Sequence, residues 1–298
     1  MINSSIIFKI IGSLLFIEAI LLLACLCMAV GYQEDDVLAF IITIILTTFT
    51  GIVLHFFGRH ANNYMSRRDA YLVVTLSWII FSLFGTFPFM ISGYIPNFTD
   101  AYFETMSGFT TTGATIIDDV DKLPHGLLFW RSMTQWIGGL GIVFFTTAIL
   151  PSFVGGSVKV FAAEATGPVT TRLHPRLSTN AKWIWVVYLV LTISCILSYM
   201  ICGMGWFDSI NYAMGTTATG GFSTHTDSAE FFRSPAVEYI ATFFCFISGT
   251  NFTLLYMSAT HRSLKMMFKS EEFRFYTFVV IAFSLFIMAQ LMLHNGYD

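Results

Sequence analysis

The chain has 298 residues, 55% of them hydrophobic and only 11% charged, where an average soluble domain carries roughly 25% charge. That balance excludes an ordinary soluble domain, and a formal net charge of -3 gives no basic face for nucleic acid. An all-α integral membrane protein is expected, with 32 Phe suited to lipid-facing and interfacial surfaces.

Seven apolar stretches run through residues 10–30, 37–57, 70–94, 125–150, 183–204, 237–258 and 275–293. Each is near or above the roughly 20 residues that a spanning helix needs. The first is longer than the roughly 7 to 15 residues of a signal-peptide core, so it reads as a retained transmembrane helix. The connections between the third and fourth stretches, and between the fifth and sixth, differ from the rest. Each is a run of Thr and Gly, which suits no transmembrane helix because Thr is β-branched and Gly is a poor helix former.

The first run is Ser107-Gly108-Phe109-Thr110-Thr111-Thr112-Gly113-Ala114-Thr115. Residues 208–223 align on residues 100–115 without a gap at an offset of 108, so that Asp100 falls on Asp208, Met106 on Met214 and Gly113 on Gly221. Such a repeat defines the organisation of the chain. Residues 1–69 form a two-helix preamble, 70–182 and 183–270 two helix, pore-loop, helix repeats, and 271–298 the first helix of an incomplete third.

Eleven of the fifteen Lys and Arg lie on alternate connections: Arg59, Arg67 and Arg68; Lys159, Arg172, Arg176 and Lys182; Arg262, Lys265, Lys269 and Arg274. The positive-inside rule puts these connections and the amino terminus in the cytoplasm. Both Thr/Gly runs then enter from outside. The outer connections carry Glu34, Asp35, Asp36, Asp100, Asp118, Asp119, Asp121, Asp208, Asp227 and Glu230. These acids either concentrate cations at a pore mouth through their summed field or simply solvate the outer loops.

Non-helical backbone survives at membrane depth only where protein buries it or where it lines a watery cavity. Each run therefore reads as a re-entrant loop. A short helix comes first, over residues 99–108 or 208–216, with Asn97 or Thr99 able to cap the first and Asp100 and Asp208 in the first turns. An extended run follows, Thr110, Thr111, Thr112 and Gly113 in one copy and Ala218, Thr219, Gly220 and Gly221 in the other. Its carbonyls can replace the hydration shell of a monovalent cation. The chain then climbs out through residues 115–124 or 223–235.

Other residues carry weaker signals. Glu18 lies mid-helix, where an acid is costly and should face protein or water and find a partner, either in a structural polar contact within the bundle or in a role in ion permeation. Arg131 either pairs with an acid near a pore loop, such as Glu104, or snorkels to the outer interface. Gly138, Gly139, Gly141 and Gly249 fit close helix packing or a hinge. Cys25, Cys27, Cys195, Cys202 and Cys245 lack zinc-ligand spacing and read as small hydrophobes. None of the seven His has a catalytic neighbourhood, and His225 reads as interfacial. No catalytic residue, resident cofactor or enzyme activity is expected.

These residues resemble the membrane subunits of Trk-type potassium uptake systems, relatives of the Ktr and HKT transporters. The similarity rests on the first Thr/Gly run, Trp130-Arg131-Ser132-Met133-Thr134-Gln135-Trp136-Ile137-Gly138-Gly139-Leu140-Gly141-Ile142, Glu164-Ala165-Thr166-Gly167-Pro168, and Ala218-Thr219-Gly220-Gly221-Phe222-Ser223-Thr224-His225. It implies four repeats around one pore, potassium as substrate at the filter carbonyls, a homodimer, and a cytoplasmic nucleotide-binding regulatory subunit (TrkA-like) at a bacterial inner membrane. This chain holds two of the four filter segments. Read as a whole it is expected to be all or part of a Trk-type potassium permeation subunit, with a truncated, non-conducting subunit that acts structurally or as a regulator on a full-length partner as the alternative.

Overall fold

A computed structural model describes residues 2–61, 66–141, 177–261, 263 and 265–295. Among these the regular elements are all helical: α1 (Ser4–Tyr32), α2 (Val37–Gly58), α3 (Arg67–Ser92), α4 (Phe98–Phe109), α5 (His125–Leu140), α6 (Leu177–Ile201), α7 (Trp206–Thr217), α8 (Pro235–Ser248), α9 (Phe252–Thr260), α10 (Lys265–Lys269) and α11 (Glu271–Asn295). The 3₁₀ turns Val120–Lys122 and Ser228–Phe232 join α4 to α5 and α7 to α8. Among the described residues five helices are long and apolar enough to cross a membrane: α1, α2, α3, α6 and α11. One of the seven expected stretches differs, and one is described only in part. The fourth is helical through Leu140, and residues 142–150 lie outside the described residues, as do the Glu164–Pro168 motif, Lys159, Arg172, Arg176 and Arg262.

The sixth stretch is not one helix. It stops at Ser248, and a new helix begins at Phe252, where the Asn251 side chain accepts the Thr253 N–H at 3.0 Å. An Asn competes with the helical backbone for its hydrogen bonds, so it starts a helix more readily than it continues one. Gly249, expected at a helix-packing position, lies in this break.

Two compact units result, Met1–Ser248 and Gly249–Asp298. In the first, α1 and α2 form a tight hairpin. A Cβ at Gly12 would come within 2.8 Å of the Gly51 carbonyl, and one at Gly51 within 3.2 Å of the Gly12 carbonyl. Small residues bring the backbones together where lipid supplies no hydrophobic drive of its own. Glu18 is fully buried in α1 and neither carboxylate oxygen has a hydrogen-bond partner, so the contact expected for it is absent among the described residues. Thr47 of α2 is a second buried side chain whose oxygen has no partner.

The rest of this unit repeats a pattern. A long helix, a short helix and a returning helix occur as α3, α4, α5 and again as α6, α7, α8. A capping box starts α3, with Ser66 Oγ accepting the Asp69 N–H and Asp69 accepting the Ser66 N–H. Phe109, at the end of α4, sits edge-on to both Phe81 of α3 and Trp130 of α5. Trp130 Nε1 donates to the Gly85 carbonyl at 2.9 Å and so ties α5 to α3. In the second copy, Tyr199 of α6 hydrogen-bonds Thr216 at 2.8 Å, and Thr192 of α6 meets Thr217 at 3.2 Å. Both short helices are thus held at their carboxyl ends. The second unit holds α9, α10 and α11, and α11 is apolar and exposed along its spanning window.

Candidate functional site

The short helices α4 and α7 have 12 residues each, about 18 Å at 1.5 Å per residue, too short to span a bilayer. Asn97, rather than Thr99, caps the first, accepting the Thr99 N–H at 2.9 Å. The second starts earlier than expected, at Trp206 behind Gly205. Asp100 and Asp208 both lie in first turns, near the positive helix end.

The two carboxyl ends are built alike, bond for bond. Thr110 N–H donates to the Met106 carbonyl and Ala218 N–H to Met214; Thr111 to Gly108 and Thr219 to Thr216; Thr112 to Ser107 and Gly220 to Gly215. The last pair spans five residues, the signature of a left-handed helix cap. The residue in that cap is Thr111 in one copy and Thr219 in the other, each with φ +53°. A β-branched residue there is a genuine outlier. Gly113 (φ +73°) and Gly221 (φ +87°) are left-handed two residues on.

This corrects the expected extended runs. Thr110 (φ -80°, ψ 1°) and Ala218 (φ -79°, ψ -9°) close their helices instead of starting a strand. A helix ending at mid-chain must bring its last carbonyls to a halt within hydrogen-bonding range, and the tight cap does so. The backbone opens out only from Thr112 and Gly220.

The two runs then meet. A Cβ at Gly113 would collide with the Gly220 carbonyl oxygen, so the loops touch backbone to backbone. The wall behind them is α5. A Cβ at Gly138 would strike the Phe109 carbonyl at the end of α4, and one at Gly139 would come within 2.9 Å of Ala218 at the end of α7. Gly138 and Gly139 are therefore the close-packing positions, and what they admit is the foot of each short helix. Gly141 closes α5 with φ +76°.

Two side chains one turn apart on α5 hold the return limbs. Arg131 Nε pairs with Glu104 Oε1 at 2.9 Å, fully inside the protein, which rules out snorkelling. Glu104 also accepts the Thr115 hydroxyl at 3.0 Å and the Ile116 N–H at 3.1 Å from the first limb. The same guanidinium donates to the Ser223 carbonyl of the second limb at 3.0 Å and lies over the Phe222 ring. Gln135, fully buried, accepts the Phe222 N–H at 3.0 Å. The Arg131–Glu104 pair was legible from charge alone. Gln135, Phe222 and Ser223 were not, and the available signal was that Arg131 and Gln135 share a helix face at i, i+4.

In the connections around the two runs several acids serve as links. Asp121 accepts from His225 Nδ1 at 2.7 Å and from the Thr226 N–H at 3.0 Å, joining the two loops. The hydrogen bond from His225, then those from Thr226, hold the Asp121 carboxyl down at about 2. His225 stacks on Phe231 and its other nitrogen lies 3.5 Å from Asp208. Glu34 pairs with His125 at 2.7 Å, and Asp36 accepts the Leu127 N–H at 3.1 Å. Burial, reinforced by the charge of Glu34, pushes Asp36 up to about 6. Among the described residues no group of three His, Cys, Asp or Glu could hold a metal ion.

Comparison with known proteins fits this geometry. A family profile for a cation transport protein, TrkH, matches residues 37–294. A Trk system potassium uptake protein TrkH from Halomonas elongata is 35% identical over 294 residues, covering 98% of this chain and 61% of its own length. The protein of the same description from Escherichia coli K12 is 38% identical over 275 residues, covering 91% and 56%. The crystal structure of the potassium transporter TrkH from Vibrio parahaemolyticus superimposes with a TM-score of 0.84 at 35% identity, over 100% of this chain and 61% of that one. The class is that of multi-pass membrane proteins that transport cations, not of enzymes. The chain belongs to the TrkH family. It spans about three-fifths of the length of the relatives it matches.

Proposed function

We propose that this chain takes up potassium across the plasma membrane, a bacterial inner membrane, as all or part of a Trk-type permeation subunit. Its filter carbonyls belong to Thr110, Thr111, Thr112 and Gly113 and to Ala218, Thr219, Gly220 and Gly221. The observation that carries this reading is the contact of Gly113 with Gly220 between two loops of matched backbone. In each loop a left-handed residue, a residue that is not left-handed and a left-handed Gly follow one another. Alternation of hand aims successive peptide groups to one side, where a strand would aim them to opposite sides. Carbonyls stacked on one side are what a dehydrating cation needs.

The remaining parts follow from the same reading. Residues 70–182 and 183–270 are successive repeats behind the preamble of residues 1–69, and residues 271–298 open a third. The amino terminus lies in the cytoplasm, and the re-entrant loops enter from outside. A second copy of the chain and a cytoplasmic nucleotide-binding regulatory subunit are its partners. The charge distribution supports the orientation, and the description of the relatives as parts of a Trk system supports further components.

Growth at limiting potassium, with rubidium uptake, in cells lacking other uptake systems tests the proposal. Rescue should be lost in Gly113→Asp and Gly221→Asp. Rescue that both substitutions leave intact refutes the filter assignment, and no uptake under any condition favours the non-conducting subunit.

A further inference from the structure

We infer that Gln135 is a positioning residue for the second filter segment: its side-chain oxygen holds the Gly221–Phe222 peptide so that the Gly221 carbonyl faces the ion path. The inference rests on the transport reading above.

Gln135 Oε1 accepts the Phe222 N–H at 3.0 Å from inside α5, where the side chain is fully buried. Among the described residues there is no cis peptide bond. In a planar trans peptide the N–H and C=O point in opposite directions. A Phe222 N–H aimed into the α5 wall therefore turns the Gly221 carbonyl away from that wall, toward the side on which Gly221 is exposed. The orientation of the amide follows from chemistry, since only its oxygen can accept an N–H. The consequence is that Nε2 is left buried without a partner, an unfavourable state.

The surrounding contacts leave the amide little freedom. A Cβ at Gly220 would collide with Gln135 Cδ, and one at Gly215 would come within 3.3 Å of Oε1, so both glycines make room for the side chain. Gly113 of the first loop lies on the other side, with its Cβ position 3.7 Å from Nε2. The side chain is thus wedged between the two loops while belonging to the helix that follows the first. Without the acceptor, the Gly221–Phe222 peptide is free to rotate. A rotated peptide presents an N–H, which repels a cation.

The test compares the full protein carrying Gln135→Met, Gln135→Asn and Gln135→Glu in cells lacking other potassium uptake. Met has no comparable acceptor and Asn is too short to reach, whereas Glu keeps an oxygen at the same distance. Discrimination of potassium or rubidium against sodium should fall on the order of tenfold in Met and Asn, the loss of one buried hydrogen bond. It should be retained in Glu. Equal discrimination in all three overturns the inference. Should Met fail to accumulate, Asn carries the same comparison. Absence of uptake in the unmutated protein removes the transport reading itself, and amide hydrogen exchange of the segment around Phe222 then decides the anchor. Faster exchange in Met and Asn but not in Glu supports it, and equal exchange in all overturns it.

Discussion

Arg131 meets Glu104 at 2.9 Å with the two side chains 2% and 0% exposed, and the same guanidinium reaches across to the Ser223 carbonyl. The pair is locked between both loops. Removing one partner of a buried ion pair leaves a charge without compensation, at a cost of about 3–5 kcal/mol. Arg131→Met and Glu104→Met should each destabilise the protein in detergent by that order, read as a lower unfolding temperature. The double substitution should recover part of the loss, because the pair is coupled. Arg131→Lys should not restore the native state, since an ammonium cannot reach both limbs as a planar fork does. Single variants that unfold like the parent protein would count against the clamp.

Gly138 admits the Phe109 carbonyl at the foot of α4, and no side chain fits there. Gly138→Ala should destabilise by about 1–3 kcal/mol through overpacking and displace the first loop. Gly31, on α1, has nothing within 4 Å of its Cβ position. Gly31→Ala should be neutral or slightly stabilising, because Ala is the better helix former. Thermal unfolding of both variants checks the contrast, and equal effects at the two positions would contradict the packing described.

Two of the linking acids should give opposite pH dependences. Asp121 has a folded-state pKa of about 2, below the roughly 3.9 of an unfolded chain. Its contribution is present above about pH 4 and is lost as pH falls through about 2. Asp36 is raised to about 6. Its contribution is fully present below about pH 4 and is lost as pH rises through about 6. Asp36→Asn keeps an oxygen for the Leu127 N–H and should stabilise the protein at pH 7, flattening the profile between about pH 4 and 6. Asp121→Asn should lower stability above about pH 4 and remove the loss between about pH 4 and 2. Unfolding midpoints measured across pH check both, and an unaltered profile in Asp36→Asn would rule out its assignment.

Much of the fold was legible because membrane helices announce themselves by apolar length, and because residues 100–115 and 208–223 carry the same layout. Arg131 was legible for a related reason: a charge inside an apolar helix demands a partner, and Glu104 was the acid within reach. What escaped depended on contacts distant in sequence or on backbone hand. Thr111 and Thr219 belong to a residue type that avoids left-handed angles, so only the matched caps disclose them. Gln135 is an unremarkable amide until Phe222, 87 residues later, is laid against it. The break after Ser248 escaped because hydropathy averages over Gly249, Thr250 and Asn251, while the Asn251 cap acts locally. Glu18 was expected to find company and did not, since burial alone does not supply a donor.

Arg131 and Gln135 both sit on α5, and both support a limb that is synthesised some ninety residues afterwards. Domains emerge and fold from the amino terminus during synthesis. The ribosome therefore delivers the buttress before the segment that leans on it, and the later half of the protein is born beside a template already standing.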